Sequence, residues 1–127
     1  MSDPTIAGQA TALEETQQLI SSDKVEGTSV YGRDRQKIGS VYTLMIDKVS
    51  GQVSYAVVSF GGFFGIGSDY YPLPWSSLEY DTELGGYFVS ITREQLEGAP
   101  RYRADESPWS QPGYGRGVYE YYGMPIV

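Results

Sequence analysis

Asp47, Asp69 and Asp81 are the first residues to weigh for chemistry, as a carboxylate set for a hard cation or for acid–base work. The chain contains no Cys and no His. That removes disulfides, thiolate nucleophiles and the usual neutral-pH base, so Ser-His-Asp and Cys-His catalysis are impossible within one chain. Asp47 and Asp81 open turns, where a short carboxylate that bonds its own backbone is expected for geometric reasons. No Asp-x-Asp spacing joins the three, and neither a metal nor a cofactor is expected. A second arrangement is the loop Gly61-Gly62-Phe63-Phe64-Gly65-Ile66-Gly67-Ser68-Asp69, whose glycines would let backbone N–H groups approach a phosphate. It lacks the Lys-Ser/Thr ending of a P-loop, and Tyr70 stands where a dinucleotide fingerprint needs its third glycine. Gly62, Gly65 and Gly67 therefore read as structural. Adjacent Phe63 and Phe64 point to opposite sides in an extended loop, which makes one of them a candidate contact for a protein partner, with burial of both as the alternative. Arg33, Arg35 and Lys37 form the basic cluster of a turn, either solvated or set against an acidic partner.

The elements that would carry these residues are strands. Val53 to Phe60, VSYAVVSF, is rich in β-branched and aromatic residues, and neither of its alternating faces is wholly polar. Burial on both sides is expected. Upstream, VYTLMI (41–46) joins it through Asp47 to Gln52, and Gly51 supplies the positive φ such a hairpin connection uses. Gly39, inside an extended run, marks a bend or bulge. Tyr70 to Leu73 is a further strand that ends at Pro74, with Trp75 as a buried plug. Glu79–Asp81 and Tyr87–Ile91 flank a second hairpin with an Asp-to-Gly turn like the first. Thr92 caps a short helix over Arg93–Glu97 that stops at Gly98.

At 127 residues, 40% apolar and 14% aromatic, there is room for one domain with tails. Three segments follow: a flexible N-terminal arm with a short helix near Ala12–Ile20 (1–18), the domain (19–100) and a C-terminal extension (101–127). The net charge of −7 works against unaided binding to nucleic acid or anionic lipid. No stretch approaches a membrane span or a signal peptide, so a soluble cytoplasmic protein without membrane insertion is expected.

The run VYGRDRQKIGSVYTLMIDKVSGQVSYAVVSFGGFFGIGSDYYPLPWSSLEYD resembles the PRC-barrel domain, the module of the photosynthetic reaction-centre H subunit and of the ribosome maturation factor RimM. The likeness is carried by Gly39, the Asp47-to-Gly51 turn, the apolar strand ending in Gly61-Gly62, Gly65-Ile66-Gly67 and Leu73-Pro74-Trp75. It implies an all-β fold, a small closed antiparallel barrel of about six strands. No apolar span and no further globular stretch stands before the barrel region here, so neither relative's specific function carries over.

The extension holds Tyr102, Trp109, Tyr114, Tyr119, Tyr121 and Tyr122 among four glycines and three prolines. A solvated tail seldom has so many rings. Glycine and proline argue against a long helix, leaving either an extended arm over an apolar groove, with a neighbouring subunit as the first host and the chain's own barrel as the second, or a segment that folds on binding. The expected function is a non-catalytic protein-interaction or assembly module. It would be a homo-oligomer, a dimer first, that uses the barrel surface and Trp109, Tyr114, Tyr119, Tyr121 and Tyr122. The alternative is a small-molecule-binding or enzymatic barrel using Asp69 or Asp81.

Overall fold

Two turns of the same construction organise the strands. In the first, the Val49 and Ser50 amides donate to Asp47 Oδ1 at 2.9 and 2.8 Å, and Gly51, at φ +77°, closes the turn by donating to the Asp47 carbonyl. In the second, Asp81 Oδ1 accepts from the Glu83 and Leu84 amides at 2.9 and 3.1 Å, and Gly85, at φ +69°, donates to the Asp81 carbonyl. Each aspartate replaces solvent for two amides, and each glycine takes a left-handed conformation that a side chain would strain.

The computed structural model describes residues 18–60 and 69–125. Their strands are β1 (Ser29–Tyr31), β2 (Lys37–Ile46), β3 (Val53–Ser59), β4 (Tyr70–Pro74), β5 (Glu79–Asp81) and β6 (Gly86–Phe88). The helices are α1 (Ser22–Val25), α2 (Arg93–Glu97) and α3 (Tyr114–Tyr121). The strands form one sheet in the order β4-β3-β2-β1-β6-β5. The six-strand, mostly β expectation holds, but among the described residues hydrogen bonds do not close the sheet: β4 and β5 stand at the two ends of the hydrogen-bonded order, linked in sequence by the turn Trp75–Ser77. Nor is the sheet wholly antiparallel, since β1 pairs with β6 in parallel, Val30 opposite Tyr87 and Tyr31 opposite Phe88.

Gly39 owes its place to close approach. A Cβ there would overlap the Ser59 carbonyl oxygen and stand 3.1 Å from Phe60 Cα. The expected bulge is there too: on the β1 side the register shifts beside Gly39, which stands opposite Val30 while Lys37 stands opposite Tyr31. On the β3 side the irregularities lie further on, between Val41 and Thr43 and between Met45 and Ile46. Thr92 caps α2 as expected, with a reciprocal box in which Thr92 Oγ1 accepts from the Gln95 amide and Gln95 Oε1 from the Thr92 amide.

The sheet is buried on both faces of β3. Ala56, Val58 and Phe60 join Val30, Val41, Leu73 and Leu96 in the inner core, against which half-buried Trp75 packs. The opposite face carries Tyr55 and Val57, paired with Pro74 and Pro72 of β4. Val57, Pro72 and Pro74 are fully buried there. Their cover is the C-terminal segment, which lies on its own domain, the second of the two hosts considered above, and departs from the extended arm expected there in containing a helix. Tyr102 bridges the start of β4 by two backbone bonds with Tyr70, at 2.8 and 3.0 Å. A 3₁₀ turn over Pro108–Ser110 follows, and α3 then packs on β4 with Val118 and Tyr119 buried. Burying each such side chain is worth about 1.5–3 kcal/mol. The helix tolerates Gly115 and Gly117 because this packing outweighs their propensity cost of about 1 kcal/mol each.

Candidate functional site

The carboxylates weighed for chemistry are engaged in structure. Asp47 and Asp81 are held below the ordinary carboxylate range, mainly by the amide bonds of their turns, with Arg35 adding to the effect at Asp81. Low pKa values make them poor bases at neutral pH. Asp69 pairs with Arg101 at 3.4 Å. The two arginines of the basic cluster, though exposed, are likewise engaged within the chain: Arg33 donates to the Ser90 carbonyl at 3.1 Å, and Arg35 pairs with Asp81 and Glu83 at 3.3 and 3.5 Å. The acidic partner considered for this cluster therefore meets two arginines with partners within the chain. Among the described residues, no group of three or more acids is placed to hold a metal ion.

A cleft of about 310 Å³ lies beside β5, lined by Ser76, Glu79, Phe88, Ser90, Ile91 and Gln95 among others. Several of its polar groups are already used, with Gln95 Oε1 in the α2 cap and Ser76 Oγ donating to Met124 Sδ at 3.2 Å. Asp69 lies outside this cleft, and Asp81 lines a separate, more open hollow with Arg35.

The aromatic residues do converge. Tyr42 stacks on Tyr70 at 4.1 Å between centroids and 13° between planes. Tyr70 meets Tyr102 at 5.7 Å, Tyr102 meets Trp109 at 6.1 Å, and Trp109 meets Tyr55 at 5.1 Å and Tyr114 at 5.3 Å. Tyr55 meets Tyr119 edge-on at 5.3 Å, and the Tyr119 hydroxyl donates to the Ser54 carbonyl at 2.7 Å. Edge-to-face pairs of this kind add about 0.5–1.5 kcal/mol beyond burial. The structure thus brings together Trp109, Tyr114 and Tyr119 of the sequence-derived candidates. Tyr121 is exposed and donates to the Gln95 carbonyl, while Tyr122 packs partly against the inner core. Burial raises the hydroxyl pKa of Tyr114 to about 12 and that of Tyr122 still further above the ordinary value. Phe63, Phe64, Gly62, Gly65 and Gly67 lie outside the described residues.

Sequence reasoning missed the most exposed apolar group of the described residues, on the β2–β3 hairpin. Tyr42 and Ile46 are each 49% exposed and Val49 is 98% exposed. The available signal was Val49 itself, an aliphatic residue at the tip of a turn whose neighbours are polar.

The chain belongs to the PRC-barrel domain family, whose model matches residues 18–96 and so takes in all six strands. It is similar to an uncharacterised protein of Deinococcus radiodurans, 30% identical over 81 residues. The match takes in 64% of this chain and 28% of that relative's length. No helix among the described residues is long and apolar enough to cross a membrane.

Proposed function

We propose that this chain is a non-catalytic assembly module that self-associates in the cytoplasm. The curled six-strand sheet serves as a barrel-like scaffold, and the β2–β3 hairpin presents the contact. The observation that carries this reading is the exposure of Tyr42, Ile46 and Val49 on one hairpin, 49%, 49% and 98%. Three exposed apolar side chains on one hairpin support a contact surface more than singly scattered ones do. The symmetric solution is a twofold dimer, in which the same hairpin serves both partners. The engagement of Asp81 in a turn and of Asp69 in an ion pair gives the enzymatic alternative less support.

The test is the double substitution Ile46→Lys with Val49→Asp, read by sedimentation equilibrium. Val49 is almost wholly exposed and Ile46 half exposed, so the fold should survive. Self-association at least about tenfold weaker is expected, the factor that loss of roughly 1.4 kcal/mol of contact would give. Association equal to that of the unsubstituted chain would contradict the hairpin as the contact.

A further inference from the structure

The face formed by Tyr55, Val57, Pro72 and Pro74 is covered by the C-terminal segment of the same chain, which lies over it as in a groove. The family match ends at residue 96. The last buried member of the inner core, Ala99, lies just beyond it. The segment that covers the outer face therefore begins where the common domain has finished. We propose that this groove also takes the C-terminal segment of a second copy, so that two chains pair by reciprocal exchange of residues 108–122. This deepens the assembly reading above and rests on it.

Three observations lead there. The connection from Tyr102 to the 3₁₀ turn, residues 103–107, is exposed at every position. Its polar contacts are internal, an Arg103–Asp105 pair at 3.4 Å and the Arg103 amide donating to Glu106. Five residues extended reach about 17 Å, enough to carry a segment to an adjacent copy. The seated segment is also imperfectly satisfied. The hydroxyls of Tyr114 and Tyr122 are buried with no hydrogen-bond partner among the described residues. Desolvation without a partner opposes burial, so the segment is held less tightly than its rings alone suggest. Finally, the groove adjoins surface that a closed monomer leaves open. Tyr42, half exposed, stacks on Tyr70, which is itself bonded to Tyr102 at the root of the hinge.

Groove contacts are the same whether a chain's own segment or its partner's occupies the site. The choice is then set by two terms. Tethering favours the closed monomer, with an effective concentration on the order of millimolar for a short flexible connection. Contact between the Tyr42–Tyr70 shelves and the hairpins exists in the pair alone and favours exchange. Closed monomers at low concentration and exchanged dimers at high concentration follow.

The test uses full-length chains. Unsubstituted protein, half of it carbon-13 labelled, is unfolded and refolded together, concentrated, and examined by isotope-filtered NMR. Contacts between the Trp109 or Tyr119 ring of one chain and the Tyr55 ring of the other are expected in the dimer. A second arm pairs a chain carrying Gly115→Val, whose enlarged helix collides with Tyr55, with a chain carrying Tyr55→Ala, whose groove has room for it. Mixed, they should associate at least about tenfold more tightly than either alone. A dimer whose segment contacts are all within one chain overturns exchange and leaves assembly through the hairpin standing. A monomer at every concentration overturns both, and a mixture that behaves as the sum of its parts counts against exchange.

Discussion

Gly115→Ala and Gly117→Ala make the same chemical change two residues apart on α3 and should act in opposite directions. Alanine is the better helix former by about 0.5–1 kcal/mol, so propensity alone would have both stabilise. A Cβ on Gly117 meets nothing within 4 Å, whereas a Cβ on Gly115 overlaps the Tyr55 hydroxyl and stands 3.0 Å from Cζ of that ring. The Tyr55 ring cannot swing aside freely because Trp109 and Tyr119 pack against it at 5.1 and 5.3 Å. Overpacking at such a site costs about 1–3 kcal/mol, which exceeds the propensity gain. Gly115→Ala should therefore lower stability by about 1–2 kcal/mol while Gly117→Ala raises it by about 0.5–1 kcal/mol. For a domain of this size that is a fall of roughly 4–8 °C against a rise of roughly 2–4 °C. Thermal melts followed by fluorescence read this directly, because Trp109 reports the segment and Trp75, the other tryptophan, the inner core. Tyr55→Phe removes the overlapped oxygen and should restore part of the Gly115→Ala loss. If both alanine variants gain stability, or if Tyr55→Phe leaves the Gly115→Ala defect untouched, the seating of α3 against Tyr55 is refuted.

Gly51→Val should cost about 1–2 kcal/mol through left-handed strain at φ +77° with no steric clash, and an unchanged melting midpoint would refute that origin. Alkaline titration should loosen the C-terminal segment first. The Tyr114 hydroxyl rises from an ordinary 10.0 to about 12 on folding, so its contribution is complete below pH 10 and lost as the pH climbs through 12, with Tyr122 acting in the same sense. Tyrosinate absorbance together with Trp109 fluorescence should show Trp109 exposed before Trp75.

Much of the scaffold was legible because it rests on local rules. VSYAVVSF announces burial on both faces, the two Asp-to-Gly turns carry their own hydrogen-bond logic, and Thr92 with Gln95 announces a helix start. The parallel pairing of β1 with β6 was not legible. Strands of three residues carry no periodicity, and their partners lie more than fifty residues apart. The helix at Tyr114–Tyr121 was hidden by its glycines, which weaken helix propensity when read locally and yet are what allow Gly115 to approach Tyr55. For the rings of the extension, composition announces docking but cannot name the surface. That choice belongs to the shape of the Tyr55–Val57 face, which exists only once β2, β3 and β4 are paired.

The central claim, self-association of an assembly module, is tested most directly by the mass of the unsubstituted full-length chain, measured by light scattering from micromolar to near-millimolar concentration. The account predicts a mass that climbs from 14.0 kDa toward twice that value as concentration rises and falls back on dilution. A mass that stays at 14.0 kDa across the whole range would contradict it.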